Sequence, residues 1–176
     1  QLNGTSGQWT VHDAGSGQIP EGYGADFGVC DDIVHVAMNR WAQWGSQGGV
    51  ARYDLNSGTW LSSWNQGQNG LPHDNPVAIA CDEAYDIVYI GFEEDDGSII
   101  RYDYVNLRFI AEIDEDDNVI SEPIFPGAMY HFGGGLLAGH YDGGGITYIG
   151  TTGPVITSII PFSQGDEATS IAPVPG

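Results

Sequence analysis

Gly49-Val50-Ala51-Arg52-Tyr53-Asp54 returns as Gly97-Ser98-Ile99-Ile100-Arg101-Tyr102-Asp103, and Tyr53 and Tyr102 are 49 residues apart. The same slot comes round again as Gly144-Gly145-Ile146-Thr147-Tyr148, 46 residues beyond Tyr102. Other markers keep this step. Pro20, Pro72 and Pro123 are spaced by 52 and 51 residues, and Cys30, Cys81 and His131 by 51 and 50. Trp9 and Trp60, which follow Gly-Gln and Gly-Thr, are 51 apart. Agreement among unrelated residue types marks a structural repeat of about 50 residues.

Within each period the apolar runs are short, rich in Val, Ile, Tyr and Trp, and punctuated by Gly, Asn and Asp, with no helical period. The middle unit reads as strands over Val77–Cys81, Asp86–Phe92, Ser98–Asp103 and Arg108–Ile113. Ile33–Met38 and Val155–Ile160 read the same way in the flanking units. Four antiparallel strands in a unit of roughly 40–50 residues predict the blade of a β-propeller. One small sheet cannot cover both of its faces, so successive sheets stack radially. That accounts for apolar side chains on both sides of the second strand.

The phase of the repeat sets the expected divisions. Residues 1–19 read as the last strand of a preceding blade, 20–70, 71–120 and 121–165 as blades, and 166–176 as the first strand of a following one. The expected class is all-β, a β-propeller fragment of about three four-stranded antiparallel blades plus partial blades at both ends. Closed propellers take about four to eight blades, so these blades are not expected to close a ring alone.

Composition narrows the partners. The 176 residues carry 24 Asp plus Glu against four Arg and no Lys, a formal charge of −20. Such a surface repels phosphate backbones and anionic membranes, leaving divalent cations, neutral glycans or basic proteins. An apolar share of 41 % argues for a folded core rather than disorder. No apolar run approaches the roughly 18–20 residues that span a bilayer. Asn3-Gly4-Thr5 is a glycosylation sequon, usable only on an exported chain.

The middle unit resembles known propeller repeats. Gly70-Leu71-Pro72, Val77-Ala78-Ile79-Ala80, Ile87-Val88-Tyr89-Ile90-Gly91 and Gly97 to Asp103 together resemble the repeat of two-component-regulator-type propellers. Ile87 to Gly91 is also similar to the core of YVTN-type repeats of archaeal and bacterial surface-layer proteins. The likeness is good over one blade, fair over the first and only outlined in the third. There Leu136-Leu137-Ala138-Gly139-His140 and Ile149-Gly150 depart from the pattern. The resemblance implies a sensory or cell-surface recognition propeller and brings no catalytic residues with it.

Candidate site residues follow from strand order. Loops joining second to third strands, and fourth to next-first strands, share one face of the disc. That face is expected to gather Trp41 and Trp44, the run Glu93 to Asp96, and His140, Tyr141 and Asp142. Trp41 and Trp44 lie in a long loop. Exposed indoles stack on sugar rings or anchor protein partners, although packing over the blade edge is the simpler use for them. With His140 and Tyr141 they form the candidate ligand-binding set. Asp114, Asp116, Asp117 and Asn118 (with Glu115) are the candidate metal ligands, because Ca²⁺ takes six to eight hard oxygens. They lack EF-hand spacing, and the plainer reading is a solvated acidic loop.

Cys30, Cys81 and His131 share a repeat position. A zinc site or a Cys30–Cys81 disulfide is not expected from them, because equivalent positions of adjacent blades ordinarily lie too far apart. Buried small residues at a strand end is the expectation. No Gly-x-Ser-x-Gly or His-Glu-x-x-His motif is present, and His73-Asp74 and His140 with Asp142 read as loop pairs.

Function is accordingly expected to be that of a non-catalytic extracellular or cell-surface module for recognition or assembly. Its partner would be a protein, a glycan or copies of itself, with no nucleic acid and Ca²⁺ as the candidate cofactor. The alternatives are a propeller-fold glycosidase or lyase, and a structural surface-layer or filament subunit. The expected intact denatured mass of the native protein is about twice 18.8 kDa or more, read by mass spectrometry. A denatured mass of 18.8 kDa with a larger native assembly would instead place blade closure between copies.

Overall fold

The computed structural model describes residues 19–39, 48–67, 71–93, 98–113, 124–132, 134–140, 145–150, 156–160 and 171. Twelve strands run through them. β1 (Tyr23–Cys30), β2 (Ile33–Asn39), β3 (Gly49–Asp54) and β4 (Thr59–Asn65) form the first sheet. β5 (Pro76–Asp82), β6 (Ile87–Phe92), β7 (Ser98–Asp103) and β8 (Arg108–Ile113) form the second. β9 (Ile124–Phe132), β10 (Gly135–His140), β11 (Ile146–Gly150) and β12 (Ile156–Ile160) form the third. Each sheet is an antiparallel meander in chain order, the arrangement of a propeller blade.

The middle blade shows why this sequence needs neighbours. Every residue of β6 is buried, as expected of a strand covered on both faces. Alternation sends Ile87 and Tyr89 to one side, where they join Met129, Leu136, Ala138 and Ile149 of the third blade. Val88, Ile90 and Phe92 go to the other side and meet Ala37, Val50 and Trp64 of the first. β7 divides in the same way, with Ile99 on one side and Ile100 and Tyr102 on the other. Each fully buried aliphatic or Phe side chain contributes about 1.5–3 kcal/mol, so these two interfaces dominate the stability of the stack.

At the axis the first strands run side by side, β1 against β5 and β5 against β9. Gly28 permits the closest approach. A Cβ there would stand 2.7 Å from Ile79 Cγ2 and 3.3 Å from Cys81 Sγ. Cys30 and Cys81 lie across this seam with their Cα atoms 5.5 Å apart, joined in a disulfide. The expectation of two unpaired cysteines is therefore corrected. Equivalent positions in outer strands diverge with radius, but those in the innermost strands converge at the axis within disulfide reach.

The repeated Tyr-Asp ending also has a local cause. Asp54 accepts hydrogen bonds from the Asn56 and Ser57 amides at 2.8 and 3.2 Å and from Ser57 Oγ at 2.9 Å. Asp103 accepts from the Asn106 amide at 2.8 Å and from Asn106 Nδ2 at 2.9 Å. Each carboxylate closes the turn between the third and fourth strands of its blade. Hydrogen bonds, chiefly from Ser57 and Asn106 respectively, hold both carboxyls below their usual range.

Four residues past each aspartate the chain turns left-handed, at Gly58 with φ of 69° and at Leu107 with φ of 54°. A leucine pays a steric cost of about 1–2 kcal/mol there that glycine avoids, and Leu107 is half exposed, so little packing offsets it. Leu107→Gly is therefore expected to raise stability by about 0.5–1 kcal/mol after the entropy cost of glycine. The urea midpoint reads it, and an unchanged or lower midpoint would count against the strain.

Candidate functional site

The first strands line an open cleft of about 590 Å³. Asp26 to Val29 of β1 form one wall, Ile79 to Ala84 a second, and Met129 to His131 of β9 a third, with Ile171 adding to them. These are the C-terminal halves of the inner strands. The cleft therefore lies toward the β1–β2 and β5–β6 turns, at the opposite end from the C-terminus of β2 and the start of β3.

Carboxylates set its chemistry. Asp26 Oδ2 accepts the Ile79 amide at 2.8 Å, tying β1 to β5 across the seam. Burial pushes the Asp26 carboxyl up, against the lowering effect of the Ile79 and Phe27 amides. Asp82 is 1 % exposed, and its Oδ2 accepts no hydrogen bond. His131 Nε2 lies 3.2 Å from that oxygen, within ion-pair distance but outside hydrogen-bonding geometry. Glu83 Oε1 accepts the Asp31 amide at 3.1 Å, and Asp31 Oδ2 accepts the Tyr104 hydroxyl at 2.7 Å. Burial, followed by that bond to Asp31, raises the Tyr104 phenol above its ordinary value. The turns at this end of the first two blades are thus linked across the gap between them.

Between these blades lies a buried polar stack. The Arg52 guanidinium sits 4.6 Å from the Trp64 ring centroid, a cation–π contact in a residue only 5 % exposed. Trp64 packs 4.2 Å from Tyr102, and the His35 ring lies 5.2 Å from Trp64 and 5.9 Å from Tyr104. Burial, then the Arg52 charge, holds His35 down to about 3, with the Ile33 backbone pulling weakly the other way. Neither His35 nor Arg52 stood out in sequence as a buried polar residue. The signal was present in the β2–β3 register, which places His35 opposite Arg52.

The expected site residues fall unevenly. Trp41, Trp44, Tyr141, Asp142, Asp114 to Asn118 and Glu94 to Asp96 lie outside the described residues. His140 ends β10, is 1 % exposed, and its Nε2 lies 2.9 Å from Thr147 Oγ1. Glu93 accepts a 2.7 Å hydrogen bond from Asn39 Nδ2, bridging the first two blades at the loop end. His73 pairs with Glu112 at 2.7 Å. The disulfide removes both cysteines as zinc ligands. Among the described residues no group of three or more His, Cys, Asp or Glu side chains is placed to hold a metal ion. No helix among them is long and apolar enough to cross a membrane.

Several solved structures share this architecture. The chain is similar to the WD40 repeats of RRP9, with a TM-score of 0.58 and 8 % identity over 78 % of this chain and 38 % of that one. It is similar to the extracellular domain of a putative hybrid two-component system from B. thetaiotaomicron, with a TM-score of 0.58 and 15 % identity over 79 % of this chain and 17 % of the other. A nidogen/laminin complex gives a TM-score of 0.53 and 15 % identity over 80 % of this chain and 48 % of the matched one. The chain spans less than half the length of each of these, and identities this low show the β-propeller fold alone. No protein-family model and no curated protein matches the sequence.

The His35 environment carries a pH signature. An unfolded histidine protonates near 6.5, but the folded one does so only near 3. Across that window the unfolded chain binds the extra proton, so stability is present above about pH 6.5 and falls as pH drops toward 3. The slope is at most about 1.4 kcal/mol per pH unit. His35→Phe, which keeps a ring between Trp64 and Tyr104, is expected to flatten it. Urea midpoints of both proteins through this window test the assignment, and identical slopes would refute it.

Proposed function

We propose that the chain is an exported, non-catalytic propeller module that recognises a protein or glycan partner through its loop face. The observation that supports this best is the Cys30–Cys81 disulfide across the axial seam. Disulfides persist in oxidising compartments and are rare in the cytosol. The charge of −20 favours a basic protein or a neutral glycan over nucleic acid. Trp41, Trp44 and Tyr141 would supply the aromatic contacts. His140, buried against Thr147, would anchor the strand end from which Tyr141 follows. Ca²⁺ on Asp114, Asp116, Asp117 and Asn118 would order the neighbouring loop.

Two measurements test the parts separately. Denatured protein recovered without reductant is expected to show no titratable thiol. Cys30→Ala with Cys81→Ala should cost about 4 kcal/mol on chain-entropy grounds. Free thiols in the native protein would remove the support for export. On immobilised glycans and basic proteins, Trp41→Ala with Trp44→Ala is expected to weaken binding by about tenfold or more. Cleavage of a bound glycan in the same assay would replace the reading with that of a glycosidase or lyase.

A further inference from the structure

The middle blade is covered on both faces by its neighbours, so apolar side chains left exposed on it are not awaiting a further blade. Three such side chains stand in its turns. Tyr85, in the β5–β6 turn, is 61 % exposed, and Val105 and Leu107, in the β7–β8 turn, are 57 % and 52 % exposed. Strand order puts both turns at one end of the sheet. The Tyr104 amide donates to the Asp86 carbonyl at 3.1 Å and joins them. Single exposed apolar residues are ordinary on a protein surface. A group of them on two joined turns, where polar residues usually serve, marks an interaction surface.

The first blade supplies an internal comparison. Counting from the turn aspartates Asp54 and Asp103, Val105 stands where the first blade has Asn56, and Leu107 where it has Gly58. Two residues, Asp31 and Asp32, join β1 to β2, whereas four, Glu83 to Asp86, join β5 to β6 and bring in Tyr85. Backbone strain is a separate pointer. Among the described residues Leu107 carries the one apolar side chain on left-handed backbone. The equivalent turn is built with glycine, so closing the turn does not require leucine there.

The geometry points to this turn end of the middle blade as a docking site for a basic segment of a partner protein. Apolar side chains of that segment cover Tyr85, Val105 and Leu107, and its lysine or arginine residues meet the surrounding carboxylates. The strain at Leu107 then serves to present an apolar anchor. Charge decides among possible occupants. Asp31, Asp32, Glu83 and Asp86 are exposed at this end, and Arg108 already lies 3.6 Å from Asp103. A second copy brings the same carboxylates and another −20, and an anionic membrane is repelled likewise. A glycan would call for flat aromatic faces, which Val105 and Leu107 do not offer.

The test titrates the folded, oxidised protein into a labelled, capped peptide of alternating leucine and lysine, read by fluorescence anisotropy at low and high salt. Saturable binding is expected, about tenfold tighter than that of a serine–lysine peptide of equal charge. The decisive variant carries Val105→Asn and Leu107→Gly together, which gives the middle blade the turn residues of the first. It should weaken binding by about tenfold while the urea midpoint stays level or rises, since both positions are exposed and the strain is relieved. Asp86→Asn should lessen the salt dependence, and Glu21→Gln, near the far end of β1, should not. Trp41→Ala with Trp44→Ala should leave affinity unchanged, which separates this surface from the loop contacts proposed above.

Absence of saturable binding, equal binding of the two peptides, or equal affinity of wild type and the turn variant would overturn the inference. Self-association in sedimentation that the turn variant abolishes would overturn it too, by making a second copy the occupant. Binding to phosphatidylcholine vesicles that the same variant abolishes would do so by making a lipid surface the occupant.

Discussion

A four-stranded sheet of short strands has two faces and nothing of its own to cover them with. The middle blade makes this constraint visible, because β6 alternates between two separate clusters, Ile87 and Tyr89 in one and Val88, Ile90 and Phe92 in the other. Neither cluster is complete without a neighbouring blade. Folding of one blade is thereby coupled to the placement of the next, as in repeat proteins whose stability is shared between units and interfaces. The bulges in β1, β5 and β9 and the turn aspartates shape sheets that must fit each other rather than stand alone.

Radial stacking has a geometric consequence at the axis. Blades that spread apart at their outer strands must crowd at their inner ones. Gly28, the Cys30–Cys81 disulfide and the Asp26–Ile79 hydrogen bond all belong to that crowded seam. So does the cleft, since it occupies what the converging strands leave unfilled. The inner strands therefore both join blades and line this cleft. The outer strands behave differently, and β8 leaves Phe109 and Ile110 partly in solvent.

The interface between the first two blades is less apolar than its neighbour. Arg52, His35 and Trp64 occupy it together, and Tyr102 and Tyr104 complete the ring contacts. A buried guanidinium over an indole beside a neutral imidazole is a specific arrangement. It fixes which face of the first blade meets the second, where interchangeable aliphatic side chains would leave the pairing less defined. The other blade interface relies more on aliphatic packing among Val77, Ile99, Leu136 and Ile149.

Strand identity, the repeat near 50 residues and burial on both faces of the second strand were legible in sequence, because each depends on patterns only a few residues long repeated at a constant step. The expected strand over Val77–Cys81 is found at Pro76–Asp82, and that over Arg108–Ile113 is found unchanged. The repeated Tyr-Asp ending was legible as a marker of the repeat, but its turn role came from the structure, where Asp54 bonds residues two or three positions ahead. The cysteine pairing, the cleft with Asp82 at its wall and the buried state of His35 were not legible. Each depends on distances between residues in different strands or blades, and Cys30 and Cys81 stand 51 positions apart. A repeat shows that two residues occupy equivalent places, but how far apart those places lie depends on their radius from the axis. That radius exists only once the blades are packed, so tertiary structure alone decided it.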